Sequence, residues 1–315
     1  MGTGPFAVPS FEALRSAGHE IALVVTKPQP PVKSRKGPPP NPVRQWAENA
    51  SLTIFDPTTI NEESAIKQVA SLDADLLVVC DYGHILKPAA LETARLGGIN
   101  LHGSLLPKFR GAAPVQRALL SGEPVTGVSV IHMTPRLDGG PILYVRETEI
   151  RNDETSGDLE ERLAEIGIEA TLQAVDRLTD WDGDSVIGEI QDPDGVTKAP
   201  RLSKAEGEID WNRIAMELDR HVRGMQPWPG AFTHFDPDNG KPPVRLVVRE
   251  IQTTDFPATD RIPGEIVADN GFQVATADFL VTIVRLQPAG KKEMTGEDFL
   301  RGHQPKSGAR LVSNA

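Results

Sequence analysis

One cysteine and no long apolar run: each scarcity removes a class of protein. Cys80 stands alone, so an intrachain disulfide is excluded. It lies in the apolar run 76–80, where a thiol behaves as a small buried hydrophobe rather than a nucleophile. The 7 histidines are scattered and lack cysteine partners, so the expectation is no metal. No apolar stretch approaches the roughly 20 residues that cross a bilayer, and no signal-type hydrophobic region opens the chain. The expected protein is cytoplasmic, without a membrane partner, and works as a monomer.

Acidic residues are missing from one long window. Between Glu20 and Glu48 there is none, while Lys27, Lys33, Arg35, Lys36 and Arg44 all fall there. Pro28, Pro30, Pro31, Pro38, Pro39, Pro40 and Pro42 crowd the same window. They deny it helix or ladder pairing and predict an extended surface loop. Positive charge on a pre-extended loop loses little entropy on docking and suits contact with phosphates. The net charge of -11 argues against indiscriminate nucleic-acid binding, so any such contact is confined to local patches.

With 315 residues the chain suits two domains. Apolar runs at 21–25, 52–55 and 76–80 alternate with helical stretches at 41–49, 62–71 and 89–95. This is the pattern of an α/β, doubly wound, mostly parallel sheet that binds ligands at the carboxyl ends of its strands. Leu159, Leu163, Ile166, Ala170, Ala174 and Leu178 repeat at helical spacing and predict a core-facing helix. Residues 181–204 turn polar and lose periodicity, which predicts a linker between a domain at 1–180 and another at 205–315. In the latter, five short strand-like runs (231–235, 244–251, 265–268, 272–275 and 279–286) fit a small OB-like β-barrel. Trp211 and Trp228 are read as packing between the domains, and Lys291 and Lys292 as candidate phosphate contacts.

The stretch that organises the chain is 98–111. Asn100 and His102 are two apart on a strand end and therefore share a side, leaving Ile99 and Leu101 for the apolar layer. Gly103, Pro107 and Gly111 shape the loop that follows. An amide beside an imidazole suits carbonyl chemistry: both donate to an oxygen that is becoming negative, and the imidazole moves a proton near neutral pH. After the strand at 125–133 comes Arg136-Leu137-Asp138-Gly139-Gly140-Pro141. Its Asp138 carboxylate, brought near an imidazole, holds the imidazolium charge and fixes the tautomer. Asn100, His102 and Asp138 are the candidate catalytic set for acyl transfer.

Asn100-Leu101-His102, then Ser104-Leu105-Leu106-Pro107-Lys108-Phe109-Arg110-Gly111, then Leu137-Asp138-Gly139-Gly140 together resemble the signature of the folate-dependent formyltransferases. The resemblance runs over nearly the whole length and is closest to the branch that acts on methionyl-tRNA. It implies 10-formyltetrahydrofolate as formyl donor and initiator methionyl-tRNA as acceptor. It further implies a donor pocket lined by Tyr82, Gly83, Ile85, Leu86, Ser104, Leu105, Leu106 and Pro107. Arg110 is expected to organise the loop or orient substrate, and Lys33, Arg35, Lys36, Arg44, Lys291 and Lys292 to contact tRNA. The same chemical core serves enzymes that formylate small amines, for which the basic arm and the second domain have no obvious use. The family also carries a short apolar strand before the glycine turn that here reads Gly2-Thr3-Gly4-Pro5-Phe6. The sequence therefore predicts a gap at the middle of the sheet, with the chain starting at an internal methionine.

Overall fold

A computed structural model describes residues 1–30, 39–236, 242–268, 271–305 and 308–313. The chain forms two compact units. One comprises Met1–Val115, Pro124–Ile150 and Asp158–Pro200; the other comprises Gln116–Glu123, Arg151–Gly157 and Arg201–Ala315. Residues 181–200, expected as linker, are thus part of the first unit. Backbone pairing holds them there: Glu189 and Ile142 exchange two hydrogen bonds of 2.7 and 2.8 Å.

The strands of the first unit are β1 (Val24–Val25), β2 (Ile54–Phe55), β3 (Leu77–Val79), β4 (Gly98–His102), β5 (Arg110–Gly111), β6 (Val125–His132), β7 (Ile142–Glu149) and β8 (Lys198–Ala199). Its helices are α1 (Val8–Ser16), α2 (Pro42–Asn49), α3 (Glu63–Ala70), α4 (Pro88–Leu91), α5 (Pro114–Ser121) and α6 (Ser156–Thr179), the last two extending past its boundaries. Asn41 caps α2, its side chain accepting from the Arg44 N–H at 3.0 Å ahead of Pro42 in the first turn. β1·β2, β3·β4 and β5·β8 pair in parallel, while β4·β6 and β6·β7 pair antiparallel.

Residues 1–2 join the β1·β2 pair to the β3·β4·β6·β7 sheet. The Met1 ammonium donates to Val78 O at 2.7 Å, Met1 O accepts from Cys80 N at 3.0 Å, and Gly2 N donates to Val25 O at 3.0 Å. Two residues therefore hold the middle of the sheet, and beside them lies a cleft of about 550 Å³ lined by Leu23, Val25, Leu77, Val78 and Leu178 among others. Burial pushes the Met1 ammonium down to about 5.

The core of this unit explains why β4 faces as it does. Ile99 is 0% exposed and Leu101 4%. α6 reaches Leu101 because position 167 is glycine: a Cβ there would lie 2.7 Å from Leu101 Cδ2. Burying two such aliphatic side chains is worth on the order of 3–6 kcal/mol, and it leaves Asn100 and His102 for the opposite face.

In the second unit α7 (Ala215–Gly224) precedes β9 (Ala231–Phe235), β10 (Val244–Pro257), β11 (Ile266–Val267), β12 (Gln273–Ala275), β13 (Phe279–Pro288) and β14 (Met294–Thr295), followed by α8 (Gly296–His303) and β15 (Leu311–Val312). The sheet order is β11-β12-β13-β10-β9-β15, with β14 on β13. Its two outer strands meet: Glu265 and Arg310 bridge, Ile266 N donates to Ala309 O at 2.9 Å, and Leu311 N donates to Gly264 O at 2.8 Å. The five foreseen strands are all present, and the short β15 returns the sheet on itself, which suits a small OB-like barrel. Phe299 of α8 stacks on Phe272 with centroids 5.3 Å apart. Trp211 is buried inside this unit, its Nε1–H donating to Thr233 Oγ1 at 3.0 Å. It is a core residue here, because a buried indole needs an acceptor and Thr233 supplies one. Trp228 is exposed.

Candidate active site

Residues from three separated segments of the first unit meet around the end of β4. β4 ends at His102 because Gly103 and the Leu105–Lys108 turn interrupt the ladder; the turn is closed by Lys108 N donating to Leu105 O at 3.1 Å. Ser129 of β6 anchors that loop from below. Its hydroxyl donates to Ser104 O at 2.8 Å and accepts from Leu106 N at 3.0 Å. Asn100 is half-buried, and its side-chain amide makes no hydrogen bond to another described residue. It has two N–H donors to offer a ligand.

His102 is 5% exposed. Its Nε2–H donates to the carbonyl oxygen of Phe109 at 2.9 Å, since a carbonyl only accepts. Nδ1 therefore carries the lone pair in the neutral ring. That nitrogen faces Asp138 Oδ2 at 3.9 Å. The sequence predicts that the ring donates to a substrate oxygen and that Asp138 both holds the imidazolium charge and fixes the tautomer. The geometry divides these tasks differently. Phe109 sets the tautomer, and Asp138 stands where it stabilises a proton on Nδ1. Asp138 Oδ2 also accepts from Gly111 N at 2.9 Å, which fixes the carboxylate. Asp138 at φ +47°, Phe109 at φ +62° and Gly111 at φ +133° all hold left-handed backbone. Such clustering is common at functional sites.

The segment read as linker supplies what sequence reasoning missed. Gln191 is 7% exposed, and its side chain reaches the Asp138 turn and Arg110 together. Its Nε2 donates to Asp138 O at 2.8 Å and Gly140 O at 2.7 Å, while its Oε1 accepts from Arg110 Nε at 3.1 Å and Nη2 at 2.7 Å. Thr197 holds the neighbouring loop, its hydroxyl accepting from Phe109 N at 2.8 Å and its carbonyl from Arg110 N at 2.9 Å. A glutamine and a threonine in a polar, aperiodic stretch give no sequence signal. The Glu189·Ile142 bridge before Gln191 and the β5·β8 pairing after Thr197 bring them here. Arg110, expected to organise the loop or orient substrate, is tied to Gln191 through two of its nitrogens.

The expected donor-pocket residues divide. Tyr82 and Leu86 belong to the core cluster with Val25, Ile60 and Leu91, yet the Tyr82 hydroxyl is buried with no hydrogen-bond partner among the described residues. Burial pushes its pKa up. Ile85 is 62% exposed, and Asn61 Nδ2 holds its carbonyl at 2.8 Å. Gly83 has φ +68° with Lys27 Nζ close to where a Cβ would stand. Ser104 is fully buried and donates to Lys108 O at 2.8 Å. Leu105 lies against Gly127, Leu106 packs with Ile131 and Ile142, and Pro107 lies against Gly195.

Of the basic residues, Lys33, Arg35 and Lys36 lie outside the described residues. Arg44 is on α2, mostly buried and ion-paired with Asp56. Lys291 and Lys292 are exposed beside β13 in the second unit. Among the described residues no group of three or more His, Cys, Asp or Glu side chains is arranged to hold a metal, and no helix is long and apolar enough to cross a membrane.

An α/β sheet presenting Asn, His and Asp around one strand end, followed by an antiparallel sheet whose outer strands meet, is the architecture of a formyl-group transferase. Residues 1–175 match the formyl transferase family and residues 201–304 its C-terminal domain, and the chain belongs to that family. It is 58% identical over 320 residues to the methionyl-tRNA formyltransferase of Rhodopirellula baltica, a match covering 99% of this chain and 96% of that one. Solved structures share the fold. An N-formyltransferase from Helicobacter canadensis, in complex with folinic acid and dTDP-3-aminofucose, superposes with a TM-score of 0.62 at 15% identity, covering 90% of this chain and 97% of that one. HypX from Aquifex aeolicus, in complex with tetrahydrofolic acid, gives 0.57 at 14% identity over 82% of this chain, which spans 44% of HypX.

Proposed function

We propose that this chain transfers the formyl group of 10-formyltetrahydrofolate to the α-amino group of methionine on initiator methionyl-tRNA, the step that prepares it for translation initiation. Family membership and the near-complete match to a methionyl-tRNA formyltransferase support the reaction. The observation that carries the chemistry is the 3.9 Å approach of His102 Nδ1 to Asp138 Oδ2, with Nε2 already committed to Phe109.

The folate, when bound, supplies an activated formyl carbon. The residues present suit such a donor: the Tyr82 hydroxyl and the Asn100 amide are polar groups without a hydrogen-bond partner among the described residues, and exposed Ile85 offers an apolar contact. Asn100 donates an N–H to the formyl oxygen as it gains charge, a role worth roughly 100- to 1000-fold in rate. His102 Nδ1 takes the proton shed by the attacking amine and returns it to the departing nitrogen of the donor, so no net proton is gained or lost. Asp138 lowers the energy of the imidazolium between those two transfers. Arg110 keeps the loop in place. The arm at Lys33, Arg35 and Lys36, with Lys291 and Lys292, contacts tRNA phosphates, whereas Arg44, expected to join them, is mostly buried and paired with Asp56. One chain carries every group named, so a monomer in the cytoplasm, where charged tRNA is found, suffices.

A formyl-transfer assay offering charged initiator tRNA or small amines tests the reading. Transfer to the methionyl-tRNA at least a hundredfold faster than to any small amine supports it. Preference for a small amine, or RNA binding with no transfer, contradicts it.

A further inference from the structure

Gln191 satisfies every hydrogen-bonding position it has. Both amide hydrogens go to main-chain carbonyls of the Asp138 turn, and both lone pairs of its oxygen face the Arg110 guanidinium. The orientation of the amide is not arbitrary: a guanidinium only donates and a carbonyl only accepts, so exchanging O and N would break all four contacts. Neither glutamate nor an apolar residue of the same length reproduces them. Glutamate keeps Arg110 but sets an oxygen against the carbonyls of Asp138 and Gly140.

The contacts close a ring around the reacting groups. Arg110 is followed by Gly111, whose N–H binds Asp138 Oδ2 at 2.9 Å, and Gln191 ties Arg110 back to Asp138 O. Asp138 is thus held at its carboxylate by one end of β5 and at its backbone by a side chain hung on the other. Its φ of +47° lies in the left-handed region, uncommon for a residue other than glycine. The same β5 strand follows Phe109, whose carbonyl sets the His102 tautomer. A displacement of the turn therefore alters the distance between His102 Nδ1 and Asp138 Oδ2 directly.

We infer that Gln191 is a positioning residue for formyl transfer, acting through Asp138: it holds the carboxylate at the distance from His102 at which a proton on Nδ1 is stabilised. The inference rests on the roles given above to Asp138 and His102. It locates part of the catalytic apparatus in the polar stretch after α6 and assigns it no contact with either substrate.

The test is a double-mutant cycle on the full chain with 10-formyltetrahydrofolate and charged initiator tRNA. It uses Gln191→Glu, Gln191→Met and Asp138→Asn singly and the Gln191 changes combined with Asp138→Asn, with unfolding midpoints measured on each. The expected result is a 10- to 100-fold loss of kcat for either Gln191 variant with an unchanged KM for the folate. In the Asp138→Asn background the same changes should cost less than threefold, because they act through a group already removed. Equal losses in both backgrounds overturn the inference and leave Gln191 a purely structural residue. Near-normal turnover by Asp138→Asn alone overturns the assignment of Asp138, and the inference with it. Should Gln191→Met fail to fold, Gln191→Glu, which keeps the Arg110 pair, carries the cycle.

Discussion

His102 and Phe109 are joined by a 2.9 Å hydrogen bond from the imidazole Nε2–H to the main-chain carbonyl, and the carbonyl's owner sits at φ +62°. A loop residue in an uncommon conformation thereby decides which nitrogen of the histidine is basic. The lone pair is left on Nδ1, 3.9 Å from the Asp138 carboxylate. The proton chemistry proposed for this site follows from that one bond.

Asp138→Asn keeps the shape of the side chain and removes its charge. The imidazolium then lacks its anionic partner, so the ring binds a proton less readily. The fall in kcat should be on the order of a hundredfold. Steady-state kinetics on the variant check this, and turnover within a few-fold of the parent would contradict the assignment.

Gly127 stands where no other residue fits. A Cβ there would lie 2.1 Å from Arg146 O and 2.7 Å from Leu105 Cδ2. The first is backbone of the neighbouring strand and has no room to retreat. Gly127→Ala should destabilise the protein by about 1–3 kcal/mol and lower turnover as Leu105 is displaced from the loop after His102. Urea unfolding, with a reduced midpoint and an unchanged m value, is the measurement.

The basic arm makes a quantitative claim about salt. Each phosphate neutralised contributes a slope of about -0.9 to log K against log salt on a duplex. Replacing Lys33, Arg35 and Lys36 together by alanine should make the slope for tRNA binding shallower by about 2–3. Arg44→Ala should change the slope by less than one such contact, because its guanidinium is mostly buried and already paired with Asp56. Filter binding over a range of salt distinguishes them, and equal effects from Arg44 and the arm would contradict the geometry.

Burial pushes the His221 pKa down, with Arg213 acting in the same direction and a Gly207 backbone hydrogen bond, Asp210 and Glu206 opposing. Its Nε2 is buried without a hydrogen-bond partner among the described residues. In the unfolded chain this histidine binds a proton below about pH 6.5, whereas the folded protein resists doing so until lower pH. Its contribution is therefore present above about 6.5 and is lost as pH falls through the lowered folded value. His221→Gln, neutral throughout, should lose less stability than the parent between pH 7 and pH 5 in denaturant titrations. An equal loss in both would contradict the assignment of that pH dependence to His221.

How far this was legible in the sequence depends on the kind of signal each part carries. β4 announces itself because alternation of Ile99 and Leu101 with Asn100 and His102 is a period the chain displays openly. Asp138 is visible through the glycines and proline of its turn. The five barrel strands are legible as short apolar runs, but β15 is too short to register, and the contact that returns the sheet on itself is invisible without coordinates. Residues 181–200 read as linker because polarity without period is the same signature in a tether and in a strap held by side-chain hydrogen bonds. The engagement of His102 Nε2 was likewise hidden, since it depends on a carbonyl seven residues away in a loop whose path no propensity predicts.

The most direct test uses Asn100, whose amide makes no hydrogen bond to another described residue, so its loss should leave the fold as it is. Single-turnover formylation of methionyl-initiator tRNA by Asn100→Ala should be at least about a hundredfold slower than by the parent, with the unfolding midpoint unchanged. A rate within a few-fold of the parent would contradict the account, because the oxygen of the formyl group would then be stabilised by something other than the end of β4.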